Sequence, residues 1–116
     1  MATIKAYTTT EQSRKLAEIL PLESADMSWV SNGLGKPFAR TIPIKGDPEE
    51  LCGCWSLAAL LGVLPEYNLQ RTDWGNKTEY KIVVYVKEAS YASKNYDNPV
   101  DACYELILKL NELNLL

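Results

Sequence analysis

The spacing of apolar positions predicts three helices, two of which carry clear start signals. The first is expected at 10–20, where a threonine can cap the free amides, Glu11 lies near the positive end and Pro21 stops the helix. The last follows Asn98 and Pro99, a cap and a first-turn proline, and its apolar residues recur at helical spacing.

The third predicted helix lies in "GDPEELCGCWSLAALLGVLP". Asp47 can cap a first turn at 48–52, and a glycine interrupts this turn before a nearly all-apolar run at 54–63. Because this run has so little polar surface, we expect it to be the central, buried helix. Cys52 and Cys54 would then flank the glycine at a structural bend into that helix.

Two segments have the pattern of antiparallel hairpins. "ADMSWVSNGLGKPFARTIPI" contains two short extended runs around turn residues, and Pro43, which lacks an amide donor, places the second run at a sheet edge. "YNLQRTDWGNKTEYKIVVYVKEA" contains two longer runs around "DWGNK". In the second of these runs, one face is expected to pack against the helices; it comprises Tyr80, Ile82, Val84 and Val86.

The order of these elements predicts an α+β fold. We expect a small antiparallel sheet of about four strands, with about three helices packed mainly on one face. The length of 116 residues and a hydrophobic fraction of 47% suit a single globular domain spanning 1–116. No apolar run approaches the roughly 20 residues that cross a bilayer, and the amino terminus lacks a signal-peptide pattern, so we expect a cytoplasmic protein without membrane contact.

The composition disfavours several chemistries. A tetrahedral zinc site needs four ligands, whereas the chain has three cysteines and no histidine, so "CGC" is interpreted as structural rather than as a metal or redox site. A histidine-based catalytic triad is excluded for the same reason. We therefore predict no catalytic residue, no metal and no cofactor. An enzyme would need a pocket that brings distant thiols or carboxylates together, the carboxylates available being Asp26, Asp47, Glu49, Glu50 and Glu105.

Three aromatic residues are candidates for protein contact. Trp74 falls at the predicted hairpin tip, and Tyr91 and Tyr96 lie in the polar segment before the last helix. Large rings in polar surroundings are common in recognition surfaces, where they fill pockets at modest entropic cost. The same rings could instead fold back onto the core.

A second surface suggests an alternative function. Lys81, Tyr85 and Lys87 share the other face of the predicted strand, and Arg71 on the preceding strand could join them in a basic and aromatic platform for single-stranded nucleic acid. The net charge of −3 gives no overall attraction to polyanions, so this is the less favoured hypothesis.

The motifs "ADMSW", "CWSLAALLGVLP" and "NPVDACYELILKLNE" resemble those of small uncharacterised proteins from Bacteroides-type gut bacteria and their phages or prophages, and the resemblance extends over most of the chain. That family has no established activity, so the resemblance implies no catalytic residue. Its mobile-element setting implies an accessory or host-interaction role. Together these observations predict a non-catalytic module that binds another protein, with nucleic-acid binding as the alternative.

Overall fold

A computed structural model describes residues 4–31, 36–40 and 50–116. Within these ranges the chain is α+β, with three α-helices and two three-stranded antiparallel sheets. The elements are α1 (Thr10–Ala17), β1 (Met27–Val30), β2 (Phe38–Arg40), β3 (Glu50–Cys54), α2 (Leu57–Val63), β4 (Tyr67–Asp73), β5 (Thr78–Val86), β6 (Ala89–Ala92) and α3 (Pro99–Glu112). The predicted α+β class is confirmed, but the single sheet of about four strands is replaced by two smaller sheets.

The first sheet has the strand order β2-β1-β3. The predicted pairing of two short strands is confirmed by β1 and β2, in which Trp29 lies opposite Ala39. The prediction of an edge position is also correct, because β2 has only β1 as a described neighbour. Pro43 and the predicted turn at 32–35 lie outside the described residues.

The predicted helical turn at 48–52 is wrong, because its described part belongs to strand β3. Cys52 lies opposite Trp29 of β1, so "CGC" lies within a sheet instead of at a helical bend. The glycine between the cysteines suits close packing, since a Cβ on Gly53 would lie 3.0 Å from the Cβ of Ala25 and one of the two segments would have to shift. The predicted cap Asp47 lies outside the described residues.

The apolar helix α2 is shorter and more peripheral than predicted. It begins at Leu57, after Ser56 accepts a 3.2 Å hydrogen bond from the amide of Ala59. Only Leu60 of this helix is buried, whereas seven residues of α3 are buried. The central helix is therefore α3, and Trp55 lies between β3 and α2 instead of within the helix.

Local capping explains both ends of α3. The Asn98 side chain accepts a 2.8 Å hydrogen bond from the amide of Asp101, as its position in the sequence predicts. At the other end Asn114 has a φ of 56°, and the amide of Leu115 donates to the carbonyl of Leu110 at 2.9 Å. This is the Schellman arrangement, which asparagine tolerates better than most residues because it enters the left-handed region readily.

The second sheet has the order β4-β5-β6 and packs on α3. The predicted hairpin of β4 and β5 is confirmed. Ile82 and Val84 are fully buried and Val86 packs beside them, so this face of β5 meets the helices as predicted. The core also receives side chains from α1, α2 and Trp55, including Leu16, Leu20, Leu60 and Leu64.

Candidate functional site

The turn between β4 and β5 is held by its own hydrogen bonds. The amide of Trp74 donates to the carbonyl of Lys77 at 2.8 Å. The hydroxyl of Thr78 donates to the carboxylate of Asp73, which closes the base of the turn. Gly75 has a φ of 86°, a conformation that glycine adopts without steric cost. The backbone that carries Trp74 is thus preorganised.

The three predicted contact aromatics have different surroundings. Trp74 is 60% exposed, as a contact residue would be. Tyr91 and Tyr96 are only partly buried but pack against the core, so the alternative in which they fold inward applies to both. Burial raises the pKa of Tyr96, and the hydrogen bond from its hydroxyl to Glu105 at 3.1 Å adds to the increase. The structure therefore does not bring the three rings together as one exposed surface.

The two described candidate carboxylates hold backbone segments in place. Glu105 accepts from the amide of Lys94 at 2.8 Å in addition to the Tyr96 hydroxyl. Asp26 accepts from the amide of Ser56 at 3.0 Å and from its hydroxyl. Asp26 thus holds the residue that caps α2, and Glu105 holds the segment that follows β6. Asp47 and Glu49 lie outside the described residues, and nothing is described of the side chain at 50.

The register of the second sheet divides the predicted nucleic-acid face. Residues directly opposite each other on paired strands share a face. Gln70 lies opposite Lys81, whereas Arg71 lies opposite Tyr80, so Arg71 is on the helix-facing side. The prediction that Arg71 joins Lys81 and Tyr85 is therefore wrong.

The remaining basic and aromatic face is small. Tyr85 is 42% exposed and lies on the same face of β5 as Lys81. Lys87 lies beyond the end of β5, in the turn to β6, with a φ of 57°. Glu79 is on the same face as Lys81 by strand alternation and pairs with Lys77 at 3.3 Å. This carboxylate reduces the positive potential of the face.

The cysteine side chains lie in or near the packed interior. Cys54 and Cys103 are fully buried, and Cys52 is half-buried. Burial raises the pKa of Cys54 to about 11 and that of Cys103 to about 12. These pKa values keep both thiols protonated at neutral pH, which is the opposite of an activated nucleophile. No group of three His, Cys, Asp or Glu side chains in the described ranges could hold a metal ion.

A network that we call the Lys5 cluster joins the amino-terminal segment to two helices. It consists of Lys5, Gln12, Asn98 and Asp101. The Lys5 ammonium donates to Asp101 at 2.7 Å and to Gln12 at 2.8 Å. The Gln12 amide donates to the same carboxylate oxygen at 2.9 Å, and Asn98 donates to the other oxygen at 2.9 Å. Sequence reasoning missed this cluster because Lys5 and Asp101 are too far apart in the chain for any local pattern to connect them.

The Lys5 cluster borders a polar cleft of about 710 Å³. Its other walls are the β4–β5 turn and the start of α3. Its lining includes Arg71, Lys77 and Asp97, as well as members of the Lys5 cluster. Arg71 pairs with Asp73 at 3.3 Å, and Lys77 pairs with Glu79. The cations of this cleft thus already have partners within the chain.

An apolar groove of about 600 Å³ runs along residues 4–10 and adjoins the cleft at Ile4 and Lys5, which line both. Trp29 and Pro37 form its opposite wall. The rings of Tyr7 and Trp29 meet edge to face, with centroids 5.9 Å apart. "ADMSW" is the only sequence signal that pointed to this region, and it gave no reason to expect a groove.

Asp101→Asn is expected to lower the free energy of unfolding by about 1–2 kcal/mol at neutral pH. Burial alone would raise the pKa of Asp101, but hydrogen bonds from Lys5, Asn98 and Gln12 outweigh burial and lower it. A lowered folded-state pKa stabilises the protein above the unfolded value of about 3.9, and this stabilisation disappears as the pH falls through the folded value. Urea unfolding of both proteins at pH 7 and at about pH 2.5 measures the effect.

The difference in free energy of unfolding between the native chain and Asp101→Asn should therefore be smaller at about pH 2.5 than at pH 7. Asp97→Asn is the matched control, since Asp97 is an exposed neighbour that accepts a 2.7 Å hydrogen bond from Asn98 but does not contact Lys5. If Asp101→Asn lowers the free energy of unfolding by the same amount at both pH values, the Lys5 cluster does not stabilise the fold through the charge of Asp101.

Comparison with known proteins found no matching family model, no similar curated protein and no similar solved structure. In the described part of the chain, no helix is both long enough and apolar enough to cross a membrane.

Proposed function

We propose that this chain is a small, non-catalytic, cytoplasmic accessory protein of a bacterium or its mobile elements that binds another protein through Trp74. The observation that carries the proposal is the 60% exposed indole on a turn with its own hydrogen bonds. Tryptophan is among the residues most enriched in binding hot spots. A preorganised turn lowers the entropic cost of association.

The surroundings of the chemically reactive groups support the non-catalytic part of the proposal. The Cys54 and Cys103 thiols are buried with raised pKa values, and Asp26 and Glu105 are engaged with backbone amides. Of the residues predicted to bind nucleic acid, Lys81 and Tyr85 lie on one face of the sheet, whereas Arg71 lies on the other. Protein binding is therefore the stronger hypothesis.

The test begins with the tagged full-length chain, purified from a bacterial lysate with and without nuclease. A stoichiometric protein that survives nuclease treatment supplies the partner for the variants. Trp74→Ala is then expected to weaken binding at least tenfold, because hot-spot truncations cost about 2 kcal/mol or more. Its free energy of unfolding should change by no more than about 0.5 kcal/mol, because the side chain is mostly in solvent. Binding is measured by calorimetry, and unfolding by urea titration.

Tyr85→Ala is the matched control, since this exposed ring lies on the same sheet but away from the turn. If Trp74→Ala binds the partner as tightly as the native chain, Trp74 is not the contact. If the copurifying material is nucleic acid, and Tyr85→Ala reduces its salt-sensitive retention, the alternative function replaces this one.

A further inference from the structure

Strand β4 presents a long sheet edge with no described partner on its outer side. The strand order is β4-β5-β6, and no other described strand pairs with β4. Six of its seven residues are exposed, and Leu69 is half-buried. The strand contains no proline, no lysine and no bulge, three of the features that keep an edge from pairing with another chain. Its charged side chains are Arg71 and Asp73, which pair with each other at 3.3 Å.

The hydrogen bonds of the hairpin show which backbone groups point outward. The amide of Tyr85 donates to the carbonyl of Glu66, and that of Trp74 donates to Lys77, each at 2.8 Å. Hydrogen-bonded pairs alternate along an antiparallel ladder. The even-numbered residues from 66 to 74 therefore bond to β5. The amides and carbonyls of the odd-numbered residues point away from β5, and these are Tyr67, Leu69, Arg71 and Asp73.

The far side of β5 gives the same alternation independently. Tyr80 exchanges two backbone hydrogen bonds with Tyr96, at 2.7 and 2.9 Å. These groups of Tyr80 point away from β4. Because Arg71 lies opposite Tyr80, Arg71 also directs its backbone groups away from β5.

We propose that the β4 edge pairs with the β4 edge of a second copy of the chain, antiparallel and centred on Gln70. For the two strands to form backbone hydrogen bonds, residues whose amides and carbonyls point away from β5 must lie opposite each other in the two copies. Centring on Gln70 places Tyr67 opposite Asp73 and Leu69 opposite Arg71 of the other copy. All seven residues of the strand are then paired, and the four outward-facing residues of each copy are matched.

The side chains fit this register. No two like charges are directly opposite, and the outer face pairs Asn68 with Thr72 and Gln70 with Gln70, all of them polar. Each Arg71 keeps Asp73 of its own strand at 3.3 Å, which offsets its diagonal approach to the other Arg71. Centring on Arg71 instead would oppose two guanidinium groups and leave part of the strand unpaired. The dimer has twofold symmetry and a continuous six-stranded sheet.

Sedimentation velocity of the full chain over a range of concentrations tests the proposal. We expect a species of two 13.0 kDa chains at high concentration. Gln70→Glu should weaken dimerisation at least tenfold, because two carboxylates then meet at the symmetry axis. Within one chain the same carboxylate lies opposite Lys81, so the fold should not suffer. Ser90→Glu, on the other edge strand β6 and the same outer face, is the matched control and should leave the dimer unchanged.

Two further variants make the result specific. Mixing Gln70→Glu with Gln70→Lys should restore a heterodimer, since opposite charges then meet at the axis. Arg71→Pro removes an outward-facing amide that the hairpin does not use, so it should abolish dimerisation while circular dichroism remains native. A chain that stays monomeric at several hundred micromolar overturns the proposal, and so does a dimer that Gln70→Glu does not weaken. The test does not depend on the proposed Trp74 partner, because only one protein is present.

Discussion

Trp55→Ala is expected to lower the free energy of unfolding by about 3–5 kcal/mol, as truncation of a large buried aromatic side chain typically does. The Trp55 side chain is fully buried, and its indole nitrogen donates to the Ser24 hydroxyl at 2.9 Å. It forms one core cluster with side chains from all three helices and from β5. Because a domain of this size is stable by only about 5–15 kcal/mol, the variant should be marginally folded. Urea unfolding followed by circular dichroism measures the loss.

Trp74→Ala is the control for this experiment, since it removes the same side chain from a position that is 60% exposed. Trp55→Phe separates the contribution of apolar packing from that of the indole hydrogen bond. Phenylalanine keeps much of the apolar contact but cannot donate to Ser24. A loss below about 1 kcal/mol for Trp55→Ala would show that the site collapses around the cavity and that Trp55 is not the centre of the core.

Thr8→Val is expected to cost about 2 kcal/mol although it hardly changes the volume of the side chain. Thr8 is fully buried, and its hydroxyl accepts from the amide of Trp55 at 3.2 Å and shares a 2.7 Å hydrogen bond with Ser13. Valine would leave a buried amide without its partner, and an unsatisfied buried donor costs more than a hydrogen bond normally contributes. The measurement is again urea unfolding.

Two further substitutions test whether the hydroxyl of Thr8 is responsible for this effect. Thr8→Ser keeps the hydroxyl and should recover most of the stability. Thr10→Val, two residues along the same segment at the start of α1, should have a small effect because Thr10 is only half-buried. If Thr8→Val and Thr10→Val were equally mild, the hydroxyl of Thr8 would have no structural importance.

Elements whose hydrogen bonds are local could be predicted from the sequence. Thr9 caps α1 by accepting from the amide of Gln12, three residues away, and Gln12 accepts from the amide of Thr9 in return. Asn98 and Pro99 start α3 in the same local way. The β4–β5 hairpin and the exposure of Trp74 follow from alternation and a short turn, both contained in about twenty consecutive residues.

The tertiary structure decided what depends on distant partners. The segment at 50–54 has helical start signals before it, but it pairs with the distant strand β1, and a Cβ at position 53 would crowd the Cβ of Ala25. The inward packing of Tyr91 and Tyr96 depends on α3 and β5, and the face of Arg71 depends on a register that composition does not specify. The Lys5 cluster likewise exists only because the fold brings Lys5 to Asp101.

By itself, the sequence determined the helices and hairpin whose caps and turns are complete within a few residues. Strand pairing and side-chain networks between remote segments were decided by the tertiary structure, because their energies depend on which surfaces the whole chain can bury together.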